Sequence, residues 1–204
     1  MPEEALDTAV SGVETLFLED GGLMPNNPKL PVVIMRKAVR PDGGPQDVID
    51  VMRKNGWGGN WTYTVFDYHH YHPDAHEALI VASGEAEVQL GGPSGPIAKV
   101  SAGDAIVLPA GTGHCRRSAS SDFAICGGYP PGQEDYEITR ASGPCPPDTA
   151  DRIAAVPLPT TDPVHGGHGP LLSAWSGDRA RGCVNRSATN APCSIDGADS
   201  LSAL

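Results

Sequence analysis

The chain has 204 residues, a formal net charge of −11 at pH 7, only 19% charged residues, and 25 glycines with 20 prolines. That length holds one domain with a sizeable core and leaves little room for a second. The glycine and proline content suits a turn-rich β protein rather than a helical bundle, the lack of a three-residue glycine period rules out collagen, and the negative charge argues against nucleic acid or an anionic membrane as a partner.

Residues 1–13 read as an N-terminal extension, whose opening Met1-Pro2-Glu3-Glu4 lacks the basic and apolar regions of a signal peptide. Residues 14–41 read as an irregular arm around Pro25, Pro28 and Pro31, feeding a strand through the apolar run Leu30 to Met35. From Gly44 a short helix is predicted, with Pro45 in its first turn, Val48, Ile49 and Met52 on one face and a stop at Asn55-Gly56. It is the one helix the pattern supports. Short strands follow, separated by turn residues: Trp61–Tyr71, Ala78–Ala82, Ala86–Leu90, Ile97–Val100, Ala105–Pro109 and Phe123–Gly127. That cadence predicts an all-β sandwich or barrel with its core at about residues 61–128. Beyond Tyr129 the chain turns proline-rich again and reads as an extended wrap over the barrel. The domain therefore covers 14–176, and residues 177–204, sparse in apolar side chains, read as a disordered tail.

The five cysteines are odd in number and never spaced as C-x-x-C, so neither a zinc ribbon nor a thioredoxin motif can be drawn. No apolar run is long enough to span a bilayer, and the expectation is a cytoplasmic protein with free thiols. Cys115 adjoins His114, but neighbours on a strand face opposite ways, which favours an ordinary packing residue over a nucleophile.

Four of the seven histidines, His69, His70, His72 and His76, fall within eight residues. On a strand that ends at Pro73, the residues Phe66, Tyr68, His70 and His72 share one face, so two imidazoles project side by side. The turn through Pro73-Asp74-Ala75 then returns Glu77 beside them. A second segment, Gly103 to His114, makes a turn, a strand, a glycine-punctuated turn at Gly111 and Gly113, and delivers His114 to the start of the next strand. Three imidazoles and a carboxylate suit one divalent transition metal ion, with iron, manganese, nickel and zinc all open. His76 competes with Glu77 for the fourth place if the turn is tighter; otherwise it points away from the ligands. By the same alternation Phe66 lines the pocket with Tyr68, and Arg116 continues the His114 face. Arg116 then reads either as a contact for an anionic ligand or as an outer-face ion pair. Trp57 and Trp61 read as packing residues.

The two segments resemble the paired signatures of the cupin superfamily: His70, His72, Glu77 and Gly84 match the first, and Gly103, Pro109, Gly111 and His114 the second. Thr64 and Ser118 stand where cupins often carry Gly and Asn. Flanking stretches such as Pro25-Asn26-Asn27-Pro28, Asn55-Gly56-Trp57 and Val156-Pro157-Leu158-Pro159 resemble the YjlB-like cupins, over roughly residues 14–175. The resemblance implies a single-domain cupin barrel, a double-stranded β-helix or jelly roll with an N-terminal arm, one short helix and a C-terminal wrap, in a homodimer. It also implies metal ligation by His70, His72, Glu77 and His114.

Two of an ion's positions would stay open on such a set, which suits a metal-dependent enzyme of isomerase or dioxygenase type acting on a small polar or anionic molecule. Tyr68 and His76 are the candidate proton-transfer residues, and Phe66 and Arg116 the candidate substrate contacts. A non-catalytic small-ligand-binding module and a structural metal site are the rival readings, because fold does not dictate function.

Overall fold

A computed structural model describes residues 12–176. Eleven strands form two antiparallel sheets. The six-stranded sheet runs β1 (Val13–Leu16), β2 (Val32–Met35), β8 (Ala105–Leu108), β5 (Glu77–Ser83), β10 (Ala124–Tyr129), β3 (Gly58–Tyr63). The five-stranded sheet runs β11 (Thr139–Arg140), β4 (His70–Tyr71), β9 (His114–Ala119), β6 (Glu85–Leu90), β7 (Ile97–Ser101). This is the expected all-β sandwich.

The period-2 alternation of side chains divides the core in two. Ile34, Leu79, Val81, Ile106 and Ile125 project from the six-stranded sheet towards Val88, Leu90 and Val100 of the five-stranded one. Their neighbours Val33, Met35, Ala78, Ile80 and Val107 point to the opposite face and pack against helix α1 (Pro45–Lys54), Trp57 and the C-terminal wrap. The larger sheet is thus buried on both sides, which is why β2, β5 and β8 read as unbroken apolar runs rather than alternating ones. Each fully buried Val, Leu or Ile contributes about 1.5–3 kcal/mol.

Two sequence expectations are corrected. The continuous strand Trp61–Tyr71 is two strands in different sheets: β3 ends at Tyr63, the chain crosses the sandwich through residues 64–69, and β4 holds only His70 and Tyr71. The wrap is also not uniformly extended. It carries α2 (Thr149–Ala155) and α3 (Pro170–Trp175), so the described residues hold three helices, not one. Pro170 occupies the first turn of α3, where a missing N–H costs nothing, and Leu171 and Trp175 meet on one face one turn apart. Helices this short leave too few periodic positions to register as a pattern. The arm also contributes β1, paired with β2. The expected tail at 177–204 and residues 1–11 of the N-terminal extension lie outside the described residues.

Candidate metal centre

Three short stretches of chain converge between the sheets. His70 lies in β4 directly across from His114 at the start of β9, the single pair in register between those strands, and their rings are 4.0 Å apart. His72 follows β4, and its carbonyl accepts the Gly111 N–H at 2.7 Å, tying the first motif to the second. Gly111 has φ of +87°, and a Cβ there would collide with Ile153 and the Asn26 carbonyl, so this turn requires glycine. Glu77 opens β5 in the facing sheet. All four side chains are at most 5% exposed.

The hydrogen bonds fix which atoms face inward. The Nδ1 atoms of His70, His72 and His114 sit 3.2, 2.7 and 3.0 Å from the backbone carbonyls of Tyr68, Glu137 and Thr112. A carbonyl only accepts, so each Nδ1 carries a proton and each Nε2 is the atom turned to the interior, offering a lone pair whenever its ring is neutral. One ring nitrogen from each of the three lies within 4.8 Å of the others, and this triad could hold a metal ion. Glu77 Oε2 lies 3.4 Å from Nε2 of both His72 and His114 and has no hydrogen-bond partner, while Oε1 accepts a 2.7 Å bond from the Tyr129 hydroxyl. A buried carboxylate oxygen facing imidazole lone pairs is costly unless a cation sits among them. The donor set therefore fits a divalent transition metal.

In the metal-free protein, burial pushes His70 down to about 2 and His114 down to about 4, so both stay neutral at pH 7. Burial opposes charge on His72 and Glu77 as well, but their mutual attraction outweighs it: His72 is raised above its ordinary value and Glu77 falls to about 2. The Tyr129 phenol is raised by burial and by the adjacent Glu77 carboxylate, so it remains a donor.

A cavity of about 230 Å³ opens on the free side of these ligand atoms. Phe66 lines it, as alternation predicts, and packs edge-on to His70. The other candidates lie elsewhere. Tyr68 stacks on Phe66 at 4.8 Å, with the Arg140 guanidinium 3.8 Å above its ring, and does not line the cavity. Arg116 does not line the cavity; its Nε donates to the Val65 carbonyl at 3.1 Å. The β6–β9 register is regular from His114 to Arg116 and shifts only beyond it, where Glu87 pairs with Ser118, so it is the guanidinium's own hydrogen bond and not a break in the alternation that accompanies its absence from the cavity wall. His76 does not displace Glu77. It faces the helix layer, where its ring packs 4.7 Å from Trp175 and its Nδ1 accepts the Ala110 N–H.

Sequence reasoning missed Trp61, Tyr129 and Tyr136 as site residues. Trp57 is core, but Trp61 lines the cavity and donates to the Tyr129 hydroxyl at 3.1 Å. Tyr136 stacks on Tyr129 at 4.0 Å and meets His72 edge-on at 4.9 Å. Tyr129 could have been found by alternation from Ile125 along β10; Tyr136 stands in a connecting segment with no periodicity to read.

The cupin domain model matches residues 64–125, the stretch that holds all four inward-facing donors. Over 162 residues the chain is 36% identical to Uncharacterized protein YjlB of Bacillus subtilis (strain 168), covering 79% of this chain and 96% of that protein. The chain belongs to the cupin family and groups with YjlB. Among solved structures this cupin is similar to procruciferin, the 11S globulin of Brassica napus, with 20% identity and a TM-score of 0.34, covering 60% of this chain and 30% of that one. It is also similar to acireductone dioxygenase from Bacillus anthracis with a cadmium ion in its active centre, with 14% identity and a TM-score of 0.33, covering 55% of this chain and 80% of that one. Likenesses this distant say nothing about activity. No helix among the described residues is long and apolar enough to cross a membrane.

Proposed function

We propose that this cupin is a metal-dependent enzyme in which His70, His72, Glu77 and His114 hold one divalent transition metal ion beside a substrate cavity. The observation that carries the reading is the unpartnered, buried Glu77 Oε2 facing two imidazole Nε2 atoms at 3.4 Å. When bound, the ion supplies Lewis-acid polarisation or a site for dioxygen, which suits an isomerase or a dioxygenase. The chain's own residues do the rest. Three backbone carbonyls hold the imidazole tautomers, Tyr129 orients the carboxylate, and the aromatic walls keep bulk water from the reacting face. A structural ion enclosed on every side is disfavoured by the cavity that opens on the ligand atoms. Proton transfer by Tyr68 or His76 is disfavoured because neither reaches that cavity.

The test is metal analysis of protein purified without added metal, beside a His72→Ala variant. Iron, manganese, nickel or zinc near one ion per chain, lost in the variant, is the expected result. A wild-type protein that neither carries nor takes up a transition metal would overturn the reading. A cytoplasmic homodimer belongs to the same proposal, and light scattering at twice the chain mass checks the dimer.

A further inference from the structure

The cavity beside the four donors has a character that the ligand pattern alone does not convey. Its walls are Trp61, Val65, Phe66, Leu79, Tyr136 and Ile138, and among the described residues that line it there is neither lysine nor arginine. Neither Arg116 nor Arg140 reaches the wall: the Arg116 Nε donates to the Val65 carbonyl and the Arg140 guanidinium lies over the Tyr68 ring. At the mouth, Ile138 is 44% exposed and Tyr63 66% exposed, so apolar surface continues outward to solvent. A small dianion entering here would shed its water against aromatic faces with no side-chain cation to receive it, inside a chain of net charge −11. A flat, uncharged ring would instead bury apolar area on every wall.

We infer that the substrate of this site is an uncharged, ring-bearing molecule with an oxygen-donor head, of the phenol or enol class, rather than a small polar anion. The ring occupies the aromatic walls and the oxygens face the metal ligands. This inference rests on the metal reading for the placement of the head but not for the apolar recognition of the body.

Catechol and oxalate separate the two substrate classes, since both offer paired oxygens and differ in charge and apolar surface. Binding of each to manganese-loaded protein, with excess metal removed, is measured by calorimetry and by quenching of tryptophan fluorescence. Catechol is expected to bind at least about tenfold tighter than oxalate. Ile138→Asp, a change at an already exposed position, should weaken catechol by about tenfold while metal content stays at the wild-type level. Oxalate binding as tightly as catechol, or an Ile138→Asp variant that binds catechol unchanged, would overturn the inference and leave the metal reading intact. Phenol and acetate on metal-free protein form the second arm: phenol should bind and acetate should not. A protein that takes up no metal yet still binds phenol would sink the metal reading while supporting apolar recognition; metal-free protein that favours acetate would sink apolar recognition.

Discussion

Each ligand candidate in this cupin is positioned through its other polar atom. The imidazoles are held by carbonyls of Tyr68, Thr112 and Glu137, and the carboxylate by the Tyr129 hydroxyl. Tyr129→Phe removes the one hydrogen bond that Glu77 Oε1 accepts among the described residues and leaves the Trp61 N–H without its acceptor. The variant should fold with about 1–3 kcal/mol less stability in denaturant melts and bind metal about 10–100-fold more weakly in chelator competition. Protonation gives a second handle on the same residues. His70, His76 and His114 are lowered by burial from 6.5 to about 2, 4 and 4. In each case the unfolded chain takes up the proton first, so the metal-free fold loses stability as pH falls below 6.5. His72 works the other way: it is raised, and its contribution is present below 6.5 and lost as pH rises through its folded value. Glu77 adds stability above 4.5 that is lost as pH falls through about 2. His69 is lowered by burial too, so with four lowered histidines against one raised, urea midpoints of metal-free protein should drop between pH 6.5 and pH 4, and a midpoint that rises over that interval would refute the burial of neutral imidazoles.

At the level of elements, the motif strands were legible in the sequence because their constraints are local. His70, His72 and Glu77 sit two and five residues apart around one proline turn, and His114 follows a glycine turn that no other residue could make. Parity also placed Phe66 correctly. It grouped Tyr68 with Phe66 and His70, whose rings touch, but sharing a face did not bring Tyr68 or Arg116 to the cavity wall: Tyr68 is covered by Arg140 and Arg116 is bonded to the Val65 carbonyl. The helices of the wrap were invisible for a different reason. Their form is decided by what they cover, the outer face of the six-stranded sheet for α3 and the Gly111 turn for α2, and not by internal periodicity. α3 shows this dependence: Trp175 is 4% exposed, donates to the Pro31 carbonyl at 2.9 Å and packs against His76. Trp175→Ala should therefore cost about 3–5 kcal/mol in equilibrium unfolding, far more than an exposed helix residue would.

For the molecule as a whole, composition anticipated a turn-rich β fold, and the layers explain what it left out. A sheet covered on both faces needs a third layer, which the arms and short helices supply. The sandwich in turn sets where the donors come from. His70 and His114 belong to the five-stranded sheet and Glu77 to the six-stranded one, so the four donors straddle the interface between the layers. An ion held there is a coordination cross-link between two sheets that otherwise meet through dispersive, non-directional contacts. Such an ion would add directional bonds across the layers, so metal-loaded protein should resist unfolding better than metal-free protein, while the cavity leaves the ion a route out that does not require the sheets to part.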